Sequence, residues 1–205
     1  MIRTSLSRYL VLTLVTVLAG PTAYGFYRWE EGNFHEVSPL QVYRSRQLTG
    51  TELGDVARRY GIKSILNLRG ANHGSQWYVD EVDVTRRLGL QLYDYPISAS
   101  RELSSDQVAA LLAILRDAPK PLLIHCKSGA DRTSLVSALY LVAVDYSSAE
   151  TASGQLCLYY GHLPAILGTE TSAMDRTFWR LIATRQGPRF LAGEQVSRAG
   201  PGDRR

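Results

Sequence analysis

The chain has 205 residues, 45% of them apolar and 20% charged, an ordinary globular composition that suits one folded domain. Its formal net charge of +4 is mild and no Lys/Arg run is present, so nothing in the balance calls for nucleic acid. Four scattered histidines show no metal-ligand spacing, and no metal or cofactor is expected.

In chain order, the first segment stands apart. Arg3 and Arg8 precede an apolar run from Tyr9 to Ala19, and the uncharged stretch continues through Gly20 and Pro21 to Tyr27. This reads as a signal peptide, with Ala23-Tyr24-Gly25 as a cleavage site, or as an uncleaved membrane anchor of spanning length, with Tyr24, Tyr27 and Trp29 as an interfacial belt. Residues 1–28 are thus assigned to a signal peptide or N-terminal anchor, 29–41 to a linker, 42–186 to a folded domain and 187–205 to a disordered Gly-, Arg- and Pro-containing tail.

Within the domain, Val42-Tyr43-Arg44 is a candidate first strand. Thr49 or Thr51 caps a helix carrying Leu53, Val56, Ala57 and Tyr60, and Gly61 ends it. A buried strand is expected over 62–68, a helix over 75–88 stopped by Gly89, a strand over 90–95 and a loop over 96–104. Ser104 or Ser105 then caps a helix with Val108, Leu111, Leu112 and Leu115 on one face. The apolar run 121–124 is a strand, and 134–145 a helix apolar on nearly every side. Ser147-x-x-Glu150 and Ser172-x-x-Asp175 open two more helices, the first carrying Cys157 as an inert buried thiol, the second turning Met174, Phe178, Leu181 and Ile182 inward. Strand, helix and strand in succession imply the α/β class, with a small central, mainly parallel sheet flanked by helices.

The chemistry lies between the 121–124 strand and its helix, in His125-Cys126-Lys127-Ser128-Gly129-Ala130-Asp131-Arg132-Thr133. A tight strand-to-helix turn points successive backbone N–H groups into a common hollow, and the helix adds the positive end of its dipole, so the hollow attracts an anion of phosphate size. Arg132 can fold back and hold two phosphate oxygens with its planar fork. Cys126 at the base of the hollow sits in a positive field, which favours thiolate at neutral pH, and Thr133 or Ser134 can give the sulfur a hydroxyl hydrogen bond. A thiolate facing a bound phosphate ester is set up for in-line attack at phosphorus.

This loop resembles the signature of the cysteine-dependent phosphatases of the protein tyrosine phosphatase superfamily. With Tyr43-Arg44-Ser45 and Asn67-Leu68-Arg69-Gly70 upstream, the chain is most similar to the compact bacterial members of the dual-specificity type, over about 42–162. The resemblance implies a cysteinyl-phosphate intermediate, with Cys126 as nucleophile, Arg132 stabilising the transferred group, and Lys127, Ser128, Gly129, Ala130, Asp131, Arg132 and Thr133 as the phosphate-binding loop. It also implies a general acid, an Asp on the loop after the preceding strand. Asp94, 32 residues before Cys126, is the first choice for this acid but falls within a predicted strand; Glu102, Asp106 and Asp131 are the other carboxylates. Arg69 is a second phosphate contact or a solvated loop residue, and His125 a hydrogen-bonded residue that positions the loop. The substrates that fit are phosphotyrosine or phosphoserine in proteins, a lipid phosphate or an inositol phosphate. A phosphate-binding scaffold without turnover is the alternative, and the retention of both Cys126 and Arg132 argues against it. For a bacterial chain the N-terminal segment implies an inner-membrane protein with a periplasmic domain, or a periplasmic or secreted one if that segment is cleaved.

Overall fold

The computed structural model describes residues 32–163 and 168–184, with Thr13 and Ala19 besides. Every element below lies in the unit Phe34–Arg205. Five strands, β1 (His35–Ser38), β2 (Val42–Ser45), β3 (Ser64–Asn67), β4 (Gln91–Asp94) and β5 (Leu122–His125), form one sheet in the order β1-β2-β5-β3-β4. β5 is central and runs parallel to both β2 and β3, β4 is parallel to β3, and only β1 is antiparallel. The expected α/β class with a mainly parallel sheet is therefore the one observed.

Among the described residues six α-helices cover the sheet: α1 (Gly50–Tyr60), α2 (Gln76–Leu88), α3 (Ser105–Asp117), α4 (Asp131–Ala143), α5 (Ala149–Ser153) and α6 (Ala173–Ala183). Side-chain alternation along the strands sends Tyr43, Ile65 and Leu123 to one face, where Leu53 and Ala57 of α1 and Val84 of α2 close over them. Val42, Leu66, Leu122 and Ile124 face the other way, into the larger core built by α3, α4, α5 and α6. With both faces covered, β2, β3 and β5 are buried along their whole length.

The local signals act as read. Thr49 and Glu52 form the capping box of α1, and Ser104 and Gln107 that of α3. Gly61 and Gly89, both left-handed, end α1 and α2.

Four expectations are corrected. The segment 29–41 is not only a linker, because His35–Ser38 pairs with β2; a four-residue edge strand with a polar, half-exposed sequence carries no apolar alternation to reveal it. The helix after the loop starts at Asp131, so Arg132 and Thr133 belong to its first turn. Ser148, not Ser147, caps α5 through Thr151 N–H, since Ser147 is spent closing the end of α4, its N–H on Leu141 O. That helix stops at Gly154, and Cys157 then precedes a 3-10 turn, Leu158–Tyr160, as a partly exposed free thiol outside any helix.

The membrane placement is also corrected. Among the described residues no helix is long and apolar enough to cross a membrane. The stretch 1–28 proposed as signal or anchor lies, apart from Thr13 and Ala19, outside the described residues, as does the tail 187–205.

Candidate active site

β5 delivers Cys126 to the carboxyl edge of the sheet, where open α/β sheets bind ligands. The thiol is buried, at 1% exposure, among the residues of the larger core. Gly129 adopts φ +71°, and a Cβ there would stand 2.6 Å from the backbone of Ser45, so the end of β2 lies directly against the turn.

Arg44 holds the turn from inside the core. Although it is a fully buried strand residue, its Nη2 donates to Gly129 O at 2.7 Å and to Ser134 Oγ at 2.9 Å, and its Nη1 to Gln155 Oε1 at 2.6 Å. The guanidinium also lies 3.9 Å from the ring centre of Tyr160. In a trans peptide the C=O and the following N–H point in opposite directions. Drawing the Gly129 carbonyl towards Arg44 therefore turns the Ala130 N–H away from it, as an anion-binding turn requires.

Arg132, in the first turn of α4, donates through Nη1 to Leu68 O at 3.2 Å and to Ile97 O at 3.5 Å. These neutral carbonyls anchor the side chain between the ends of β3 and β4 without neutralising it. Ser134 Oγ accepts from Arg44, and Thr133 Oγ1 is buried without a hydrogen-bond partner. Lys127 and Ser128 are exposed at the rim.

Two buried histidines brace the loop at its ends. His125 Nε2 lies 3.1 Å from Glu81 Oε2 of α2, a close polar contact rather than an aligned hydrogen bond, and both side chains are almost fully buried. Gln47 Nε2 donates to the same oxygen at 2.7 Å, and Gln47 N–H to Lys127 O at 3.2 Å. Burial pushes the Glu81 carboxyl up, but His125, Gln47 and Arg69 outweigh it and hold the group below the usual range. At the other end His162, fully buried, lies 2.8 Å through Nδ1 from Asp131 and 2.8 Å through Nε2 from Asp175 of α6. Burial opposes a charged ring here, yet two flanking carboxylates raise its pKa above the ordinary value.

Asp94 stands at the end of β4, in register with Asn67, which is itself in register with His125. Its Oδ1 accepts from Asn67 Nδ2 at 2.7 Å and its Oδ2 from Tyr78 OH at 2.5 Å; burial and this carboxylate push Tyr78 up to about 12. Among the other carboxylates, Glu102 pairs with Arg176 and Arg180, Asp131 is held by His162, and Asp106 is exposed in the first turn of α3.

Sequence reasoning singled out Cys126, Arg132, the loop between them and His125, but not the other buried groups around the loop. Arg44 and Glu81 were visible as charged residues on otherwise inward positions, of a buried strand and of the Tyr78–Glu81–Thr85 face of α2. His162 carried no local signal.

The sheet order and the strand–loop–helix unit that carries Cys126 and Arg132 go with a family match that places the protein among the cysteine-dependent phosphatases of the dual-specificity type. The family model described as "DSP-PTPase phosphatase fused to NAD+ Kinase" matches residues 25–165, and the chain belongs to that family. Solved structures share the fold. TpbA from P. aeruginosa, in complex with pTyr, is 18% identical with a TM-score of 0.54 over 75% of this chain and 93% of that one. The core catalytic domain of the PP-IP phosphatase SIW14 from S. cerevisiae is 22% identical with a TM-score of 0.55, covering 70% and 84%. Tk-PTP in its active form is 20% identical with a TM-score of 0.52, covering 72% and 97%. No curated protein sequence matches the chain.

Proposed function

We propose that Cys126 is the nucleophile of this phosphatase and that the loop 127–133 is its phosphate cradle. The observation that carries the reading is the Arg44–Gly129 contact, which supports a turn presenting backbone N–H groups beside a buried thiol. The thiolate attacks phosphorus, an S–P bond forms, and the bond from phosphorus to the ester oxygen breaks. Arg132 and the loop amides hold the non-bridging oxygens through the transition state. Water then hydrolyses the cysteinyl phosphate and restores the thiolate. Asp94, in its protonated form, is the group we assign to protonating the leaving oxygen; its carboxylate then takes a proton from the water that hydrolyses the cysteinyl phosphate, and Asn67 and Tyr78 fix it at the sheet edge.

The substrate is a phosphorylated protein, lipid or inositol phosphate. TpbA was solved with pTyr and SIW14 is a PP-IP phosphatase, so both kinds of phosphoryl donor fit related scaffolds. The test is phosphate release from p-nitrophenyl phosphate, phosphopeptides, phosphoinositides and inositol polyphosphates by the full chain under reducing conditions. Cys126→Ser is expected to abolish turnover on every substrate, and turnover retained by that variant would sink the covalent mechanism. If Asp94 supplies the proton, Asp94→Asn slows alkyl phosphates roughly 10²-fold or more while sparing p-nitrophenyl phosphate, whose leaving group needs none. Equal losses on both would remove Asp94 from that role.

A further inference from the structure

Resting on the reading of 126–133 as the phosphate loop, we propose that Arg69 forms a second anion position beside it. The preferred substrate then carries another anionic oxygen group, phosphate or carboxylate, close to the phosphate that is transferred.

The turn after β3 is built to present this side chain. Arg69 N–H donates to Asn67 Oδ1 at 2.9 Å, while Asn67 Nδ2 donates to Gly70 O at 3.2 Å and to Asp94 at 2.7 Å. Gly70 has φ +78°, and a Cβ there would stand 2.7 Å from Pro96. The guanidinium lies 3.5 Å over the ring of Trp77, and its Nη1 donates to Gln47 Oε1 at 3.1 Å. Gln47 is in turn bonded through its backbone to Lys127, the residue after the nucleophile. Arg132 reaches the carbonyl of Leu68, the residue before Arg69. Arg69 thus lies within electrostatic reach of both Arg132 and Cys126.

Neither Arg69 nor Arg132 has an ion-pair partner among the described residues, whereas the more deeply buried Arg46 has Glu52. The nearest carboxylate, Glu81, is already engaged by His125 and Gln47. Burial and repulsion from Arg132 hold the Arg69 pKa below its ordinary value. Nε and Nη2 of Arg69 have no acceptor among the described residues. A protein that orients a cation by stacking and a single neutral acceptor, next to another cation, has left its charge for a ligand to balance. Arg132 and the loop amides hold the phosphate that is transferred, and the open donors of Arg69 beside them are placed for a further anionic oxygen group. Because Trp77 and Gln47 hold the fork in place, little side-chain freedom is lost on binding.

The test is isothermal titration calorimetry of the full chain carrying Cys126→Ser, with orthophosphate, pyrophosphate and phosphonoacetate as probes. Pyrophosphate or phosphonoacetate is expected to bind at least about tenfold more tightly than orthophosphate, the effect of one charge-assisted contact. Adding Arg69→Gln shrinks that ratio to about twofold, and Arg69→Lys, which keeps the charge but not the fork, restores part of it. Which of the two larger probes shows the preference separates phosphate from carboxylate as the second group. Thermal melts establish that the variants fold. An unchanged ratio in Arg69→Gln, an equal weakening of all three probes, or no binding of any would overturn the proposal. The phosphatase reading fails separately, if the wild-type chain releases no phosphate from p-nitrophenyl phosphate.

Discussion

Arg44 decides more about the site than any residue that would touch a substrate, apart from Cys126 and Arg132. It is a cation with 0% exposure, inside a strand whose other residues are also buried, and its hydrogen bonds end on Gly129 of the loop, Ser134 of α4 and Gln155 beyond α5. Removing it leaves buried acceptors unpaired, at about 1–3 kcal/mol each. Arg44→Met, which keeps the length of the side chain, is expected to lower unfolding stability by about 3 kcal/mol in urea titrations and kcat by more than about tenfold. A stable variant with unchanged kcat would show that the Gly129 carbonyl needs no anchor. Gly129→Ala tests the same turn from the other side. A left-handed φ costs an alanine about 1–2 kcal/mol, and its Cβ would overlap the Ser45 backbone. Turnover should collapse while the melting temperature falls only a few degrees, as measured by phosphate release and circular dichroism.

At the scale of elements, the loop is a junction between packed helices as much as a strand–helix turn. His162 links Asp131, the first residue of α4, to Asp175 on α6, and both ring nitrogens face carboxylates, so the ring is stable as an imidazolium. Its folded pKa is raised, which means that the folded chain keeps a proton the unfolded chain loses. The stabilisation is complete below the unfolded value of about 6.5 and is lost as pH rises through the folded value. The difference in unfolding free energy between wild type and His162→Gln should therefore be largest near pH 6 and narrow towards pH 9. A difference that stayed flat over this range would show that the ring is held neutral. At the other end Glu81 of α2 lies against His125, so each end of the loop meets a helix from a different layer.

At the scale of the whole molecule, the two helical layers share one sheet, and β5 contributes Leu123 to one core and Leu122 and Ile124 to the other. Neither layer can lose its packing without exposing the strand that carries Cys126. Unfolding is thus expected to be a single cooperative transition. Trp77 on α2 and Trp179 on α6 report on opposite layers. Fluorescence of Trp77→Phe and Trp179→Phe variants in urea should give coincident midpoints, and Leu123→Ala or Leu139→Ala should each shift both by the about 2–5 kcal/mol usual for such truncations. Separated midpoints would mean that the layers melt independently.

Much was legible in the chain itself, because the signals concerned are local. The capping boxes at Thr49 and Ser104, the terminating Gly61 and Gly89, and the short apolar runs around Ile65 and Leu123 act within a few residues, and the spacing from Cys126 to Arg132 is a property of one turn. The edge strand β1 and the break of the helix before Cys157 were not legible, since each depends on a partner supplied from elsewhere: Tyr43 and Arg44 pair with β1, while Gln155 and Tyr160 meet the Arg44 guanidinium. The sequence by itself thus determined the strand–loop–helix unit, the thiol it carries and its class of chemistry. Only the tertiary structure decided what holds that unit in shape, because Arg44, Glu81 and His162 are charged or polar groups whose burial becomes tolerable once distant partners converge on them.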